Sequence, residues 1–243
     1  MGMKRGIMRK IFAIAKKELA SHFKSPVAYL ILVITISVFN VFFFMILDEN
    51  REASLRDIFK VMEFMFVFFI PILTMKTFAE EKFTGTMEFL MTTPTSSTAI
   101  VLGKYLGSLL FFTLIILATS VYYVMIEFFS SPDRAAILTG YLGIWLEGAF
   151  FIAIGILTSS WTRHQVVAAI SSYVIVFLVY FSVSFIKYFQ GTAESLIRYV
   201  CTMTHMENFA AGLLTVTDLV YYLSGILFCL VCTRISIENR LWH

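Results

Sequence analysis

The stretch PVAYLILVITISVFNVFFFMIL, from Pro26 to Leu47, decides the class of fold because it contains no charged side chain. About 20 consecutive, mainly apolar residues allow an α-helix to cross a hydrocarbon core of roughly 30 Å. The whole chain of 243 residues is 59% hydrophobic and only 14% charged, which is unusual for a soluble domain. We therefore expect an integral membrane protein.

Similar apolar runs recur along the chain, and strand-like alternation of polar and apolar residues is absent. The sequence thus predicts an all-α, polytopic membrane protein with six transmembrane helices, forming a single domain over residues 1–243. The predicted spans are Pro26–Leu47, Val61–Ala79, Ile100–Ile126, Ala136–Thr158, Val166–Ile186 and Leu219–Thr233.

Lysine and arginine residues are unevenly divided between the two sides of these spans, with thirteen on the side of the termini and six on the other. Because cytoplasmic loops carry the excess of positive charge, we expect both termini in the cytoplasm. The predicted location is the cytoplasmic (inner) membrane, crossed several times.

Residues 7–24 have the pattern of an amphipathic helix lying at the cytoplasmic interface, with basic residues among anionic headgroups. An alternative is that the basic residues only set the orientation of the first span. The predicted apolar stripe consists of Met8, Ile11, Phe12, Ala15, Leu19 and Phe23.

The sequence contains no recognisable catalytic, nucleotide-binding or metal-binding motif. His205 and Glu207, two residues apart, would point in different directions on a helix and make a poor ligand pair. We expect no enzymatic activity, no cofactor or metal bound by this chain, and no nucleic acid partner.

Glu147 lies midway along the fourth predicted span, where a carboxyl group is costly and often functional. It could contact a substrate or line a pathway, carry a proton, or be satisfied by polar groups of neighbouring helices. Glu63 and Asp218 lie near span ends, where we expect headgroups to solvate them, so only Glu147 is predicted to be central.

Residues 187–218 form a long connection on the external side that is rich in apolar residues. Such length and composition favour ordered structure over disorder. We predict short external re-entrant helices before the last span, packed against protein because lipid cannot satisfy irregular backbone.

Residues 80–93 follow the second span and form more than a simple loop. Gly85 permits a turn, and Thr84 or Thr86 can bond a free amide at a helix end. Apolar residues from Phe83 to Met91 follow at helical spacing until Pro94 ends the run. The pattern predicts a short amphipathic helix parallel to the membrane, suited to a cytoplasmic partner.

The order EEKFTGTMEFLMTTP from Glu80 to Pro94, followed by IVLGKYLG from Ile100 to Gly107, resembles the permease subunits of type 2 ABC exporters. GILTSSWTRHQVVAAISSY from Gly155 to Tyr173 is similar to the junction of the fourth and fifth spans in that family. The C-terminal part resembles the gliding-motility and nitrous-oxide-reductase-maturation branches. The family often has more arginine after the paired acids, where this chain has Lys82, Phe83 and Thr84.

The resemblance implies that residues 80–93 are a coupling helix that docks on an ABC ATP-binding subunit, present in two copies and carrying ATP and magnesium. A second copy of this permease, or a homologous one, would complete the transporter, which would export an unidentified substrate across the cytoplasmic membrane. The implied ATPase-interface residues are Glu80, Glu81, Gly85, Thr86 and Glu88.

Two alternatives differ from this expectation in what the chain does. One is a mechanotransmission module, in which ATP-driven motion acts on an external accessory protein that grips residues 187–218. The other is an ATP-independent secondary transporter or intramembrane enzyme, for which Glu147 would be indispensable.

Overall fold

The computed structural model describes residues 2–50, 54–87, 95–129, 132–188 and 191–239, and these residues are mostly helical, with no strand among them. A 3₁₀ segment, Phe181–Tyr188, directly follows the helix Gln165–Tyr180. The α-helices are α1 (Gly2–Lys24), α2 (Pro26–Asn50), α3 (Arg56–Thr74), α4 (Lys76–Phe83), α5 (Ser97–Phe129), α6 (Arg134–Ser159), α7 (Gln165–Tyr180), α8 (Thr192–Val200), α9 (Thr202–Ala210) and α10 (Val216–Glu238).

Six helical segments among the described residues are long and apolar enough to cross a membrane. Each overlaps one predicted span, so the prediction of an all-α polytopic membrane protein is confirmed. The boundaries differ mainly because the polar ends of the helices continue past the apolar runs. The segments are Pro26–Asp48, Arg56–Phe83, Ser97–Phe128, Arg134–Ser159, Gln165–Phe185 and Val216–Glu238.

Helix α6 is the centre of the bundle and is buried along most of its length. It packs against α3, α5, α7, α9 and α10. Close approach requires glycine at several of its positions, two of which illustrate the contact. A Cβ atom at Gly148 would overlap the ring of Phe112 from α5, and one at Gly155 would overlap the side chain of Thr74 from α3. Small residues at helix contacts are typical of membrane bundles.

The bundle has two ends, which we name after the short helices found there. The α4 end contains α1, α4 and the junction between α6 and α7, where Ser160 bonds Ser236 near the end of α10. The α9 end contains the start of α3, the start of α6 and the helices α8 and α9, where Arg56 donates to the carbonyl of Ala210.

Segment 187–218 contains the helices α8 and α9, and α9 packs on the central helix α6. Two short helices are therefore present where short helices were expected before the last span. Their re-entrant position in the bilayer stays a prediction.

Helix α1 includes residues 7–24, as the amphipathic pattern predicts, and runs along α5. Only part of the predicted stripe faces the protein. Ala15 is buried, whereas Met8 and Phe12 are more than half exposed. The protein-facing side also carries Glu18 and His22, which hydropathy alone assigned to no face. An exposed apolar edge remains available for lipid, consistent with the predicted interfacial position.

Candidate functional site

The second candidate span is bent between α3 and α4, close to where it reaches the α4 end. Pro71 lies inside α3 and cannot donate a backbone hydrogen bond. The hydroxyl of Ser159 then enters the bend. It accepts from the amides of Phe78 and Ala79, at 3.0 and 3.1 Å, and donates to the carbonyl of Met75 at 2.9 Å. One buried hydroxyl therefore satisfies three backbone groups and fixes α4 against α6.

Gly85 ends this helical run in a left-handed conformation, with a φ of 72°. Thr84 precedes it, and both its amide and its hydroxyl bond the carbonyl of Glu80 at 2.9 Å. The hydroxyls of Thr84 and Thr86 lie 2.9 Å apart. The threonines therefore bond helix-end carbonyls, and not the free amides that the sequence suggested, because α4 ends here in a glycine C-cap.

Lys104 of α5 forms a buried hub at the α4 end, and its side chain is only 3% exposed. Its Nζ atom donates to the carbonyl of Thr77 at 2.7 Å and is ion-paired with Glu18 at 3.2 Å and with Glu81 at 3.0 Å. It also lies 5.1 Å from the centre of the Phe78 ring. A single ammonium group thus joins α1, α4 and α5. Sequence reasoning missed this role and counted Lys104 only as a positive charge that sets topology.

The predicted interface residues do not all face the same way. Glu80 and Thr86 are exposed, and Gly85 is half-buried with open space where a side chain would project. Glu81 turns inward to Lys104, leaving its side chain 19% exposed. Glu88 lies outside the described residues, as do residues 89–93 of the predicted amphipathic helix.

The junction between α6 and α7 lies beside the end of α4. Lys82 donates to the carbonyl of Ser160, and the ring of Phe83 lies 6.4 Å from that of His164. Phe83 is 70% exposed and Trp161 is 48% exposed. Two large apolar side chains are therefore exposed at this junction. One signal of this proximity was present in the sequence, since both segments carry parts of the family resemblance.

Helix α1 approaches α5 closely at Gly103 and Gly107. A Cβ atom at Gly103 would lie 2.6 Å from Cβ of Ile14, and one at Gly107 would lie 2.5 Å from Cβ of Glu18. The spacing of four residues places both glycines on one face of α5, as in small-xxx-small helix pairs. This contact brings Glu18 within reach of Lys104.

Two titratable groups of α1 are buried in this contact. His22 is fully buried, lies 3.2 Å from the hydroxyl of Ser108 and stacks on Phe111. Burial, together with the positive charges of Lys76 and Lys104, lowers the pKa of His22 to about 4. Burial also raises the pKa of Glu18, and Lys104 opposes that shift.

Glu147 lies in the core with 0% exposure, and the structure brings Glu63 of α3 to it. The two carboxyl groups are neighbours, but no hydrogen bond joins them. Glu63 is only 3% exposed and Asp218 only 2%. The expectation that headgroups solvate these two acids is therefore wrong, because neighbouring helices cover both positions.

At the α9 end, His205 connects the short helices to α10. Its Nδ1 atom lies 2.6 Å from Asp218 and its Nε2 atom 2.9 Å from the carbonyl of Tyr199. Asn208 donates to the other oxygen of Asp218 at 3.0 Å. The partner of His205 is therefore Asp218, which lies 13 residues away and could not be inferred from the residues next to His205. Within the described ranges, no group of three or more His, Cys, Asp or Glu residues is placed to hold a metal ion.

Comparison with known families agrees with this geometry. A family model described as "ABC-2 family transporter protein" matches residues 12–224, from α1 into α10. The comparison with curated proteins found no match. The matched range includes the bend, the Lys104 hub and the buried carboxyl pair, and it covers most of the chain. The chain therefore belongs to the ABC-2 family of transporter proteins, as a membrane component with several transmembrane helices.

Proposed function

We propose that this chain is the permease subunit of an ABC exporter, driven by a separate ATP-binding subunit that docks at the α4 end. Two ATP-binding subunits, carrying ATP and magnesium, would serve a pair of permeases. The α4 end would face the cytoplasm of a cell whose inner membrane holds the protein, with both termini on that side. The basic residues of α1 and the family match support this orientation.

The proposal rests on one observation. Two adjacent residues of α4 connect an exposed surface with the buried Lys104 hub. Glu80 is exposed, whereas Glu81, the next residue, is ion-paired with Lys104. A partner that grips Glu80, Phe83 and Thr86 would therefore pull directly on Lys104. Through it the displacement would reach α1 and α5.

A second route leads from the same edge to the centre of the bundle. Ser159 at the end of α6 holds the backbone of α4 through Met75, Phe78 and Ala79. Movement of α4 would therefore be passed to α6, which packs on most other spans. Closure of the two ATP-binding subunits would in this way change the helix arrangement along the interface between the permeases and export the substrate.

The test is co-purification of the tagged chain from its native membrane in a mild detergent, with mass spectrometry of the companions. We expect a soluble nucleotide-binding subunit in near-equal amount. Glu80→Lys should remove it, because the exposed charge is reversed while the Glu81–Lys104 ion pair stays intact. Recovery of the wild-type chain alone, under conditions that preserve other membrane complexes, would contradict the proposal.

Gly85 supplies a matched pair of variants. Gly85→Pro cannot adopt a φ of 72°, so it should distort the docking edge and lose the companion. Gly85→Asn accepts the left-handed conformation and meets open space, so it should keep the companion. Equal recovery with both variants would show that this turn does not form the interface.

One observation favours a second function, transmission of motion to an external protein. Helix α8 presents Leu196, Tyr199 and Val200 as exposed side chains, and Leu213 and Leu214 are exposed before α10. An apolar surface at the α9 end could hold a protein partner. Photocrosslinkers at Leu196 and Leu213 should then capture one protein at the external face. Labelling of lipid only would favour plain export.

A further inference from the structure

The buried acids Glu63 and Glu147 lack the hydrogen-bond donors that carboxylates in a protein core require. Both oxygens of Glu147 and one oxygen of Glu63 have no hydrogen-bond partner. Almost all buried polar groups are paired, so an orphan of this kind calls for a missing donor. Two ionised carboxylates side by side in a low-dielectric site would also repel each other strongly.

A hydroxyl in the same place is also without a normal partner. Thr202, at the start of α9, is fully buried, and its Oγ1 atom lies beside the Glu147 carboxyl without forming a hydrogen bond of good geometry. A hydroxyl can donate to one of the Glu147 oxygens after a small rotation. Polar groups from α3, α6 and α9 therefore converge on one point.

Water can reach one side of this point. A cavity of about 270 Å³ opens between α3 and α9 at the α9 end, and Glu63 is among its lining residues. Arg56, Lys60 and Glu207 also line it, so its wall is charged. Glu147 is not among the residues that line this cavity, whereas its neighbour Glu63 is. Water in the cavity can therefore reach Glu63, and Glu63 lies beside the fully buried Glu147.

We propose that Glu63 and Glu147 form a proton-binding site, in which at least one shared proton exchanges with the aqueous phase at the α9 end through the cavity beside Glu63. With one shared proton, the O–H of one carboxyl group donates a hydrogen bond to the other, which supplies the missing donor and removes the repulsion. A metal cation fits the site less well, because within the described ranges the acids and His or Cys residues provide no group of three ligands.

The site links proton binding to helix position. Glu63 belongs to α3, which continues into α4, and Glu147 belongs to the central helix α6. Loss of the proton places two like charges together and favours separation of the two helices. By reciprocity, any step that separates α3 from α6 releases the proton to the external phase. The titratable groups that face the pair are Lys60, Tyr180, Cys201, Glu207, Tyr221 and Tyr222.

Infrared difference spectroscopy of the intact complex in lipid nanodiscs tests the site directly, because a protonated carboxyl group has its own C=O stretching band. We expect a band that disappears as the pH is raised and that shifts in heavy water. Glu63→Gln/Glu147→Gln together should abolish it, and each single variant should move its midpoint by more than about one pH unit, a tenfold change in proton affinity. Glu207→Gln, at the exposed cavity wall, is the control and should keep the band.

Persistence of the band in the double variant, or an unchanged midpoint in both single variants, would overturn the proposal. A pH midpoint that moves with sodium concentration at constant ionic strength would replace the proton by a metal cation and would overturn the proposal as well. Co-purification of the ATP-binding subunit is measured on the same samples. The carboxyl site and the docking proposal can therefore fail independently of each other.

Discussion

Lys104 and Glu81 are ion-paired at the α4 end of the bundle, with 3.0 Å between Nζ and Oε1. The pair joins the end of the second candidate span to the start of the third. It also gives the adjacent residues Glu80 and Glu81 different surroundings. Glu81 belongs to the internal connection, whereas Glu80 is exposed.

Replacing Lys104 by methionine should destabilise the protein strongly. Glu18 and Glu81 would be left facing each other with little exposure and no cation, a change that typically costs about 3–5 kcal/mol. Glu81→Gln should cost less, because Lys104 keeps Glu18 and the Thr77 carbonyl. Thermal unfolding in detergent measures both. Lys60→Met removes an exposed ion pair and should change stability by less than about 1 kcal/mol. Equal losses for Lys104→Met and Lys60→Met would refute the hub.

The Ser159→Ala variant should loosen α4 without unfolding the bundle. Without the hydroxyl, the amides of Phe78 and Ala79 lose their shared acceptor, at about 1–3 kcal/mol for each unsatisfied group. Hydrogen exchange of residues 76–83 should accelerate roughly 10- to 100-fold. Ser171→Ala, which removes an exposed hydroxyl bonded within its own helix, should leave that exchange unchanged. Unaltered protection in Ser159→Ala would mean that Pro71 alone maintains the bend.

Acid should weaken the attachment of α1 through His22. The unfolded imidazole takes up a proton near pH 6.5, whereas the buried one stays neutral down to about pH 4. The free energy of unfolding therefore has its full value above about pH 6.5, and it falls by up to about 3 kcal/mol as the pH decreases toward 4. Unfolding midpoints recorded across this interval should fall less in His22→Gln than in the wild type. His164→Gln, at an exposed position, should behave like the wild type, and parallel curves for all three proteins would exclude His22 as the cause.

Adding a methyl group at the glycine contact should displace α1 from α5. In Gly103→Ala the new Cβ atom would lie 2.6 Å from Cβ of Ile14, so one helix must move, at about 1–3 kcal/mol. Spin labels at the exposed positions Lys17 and Leu110 would report a longer or broader distance by electron paramagnetic resonance. The exposed substitution Ser120→Ala on α5 serves as the reference, and an identical distance distribution in both variants would show that α1 tolerates the methyl group.

The helical spans were predictable because each depends on a local property, an apolar run of sufficient length. Pro26–Leu47 was predicted within one residue of the segment Pro26–Asp48. The bend at the end of the second span was not predicted, since it needs Ser159, which is far away in sequence. Local sequence patterns indicate hydropathy and turns. They do not indicate which distant hydroxyl bonds the free backbone groups of α4.

Buried polar groups were the hardest features to predict. Glu63 looked like an interfacial acid because of its place near a span end, and only tertiary packing shows that α6 and α9 cover it. Glu147 was found because a charge in the middle of an apolar run stands out by itself. Lys104 lies seven residues into α5, where a flanking charge is common, so its burial gave no signal in the sequence.

The contact between His22 and Ser108 has a consequence for how the protein is made. The two residues are 86 positions apart, so α1 leaves the ribosome well before α5 exists. At about 5–20 residues per second, α1 waits roughly 4–17 s for its partner. During that interval the face of α1 that will contact Gly103 and Gly107 is uncovered. The first two candidate spans must be inserted before α5 can cover it. Helix α1 can therefore dock in its final position only after the third candidate span has been made.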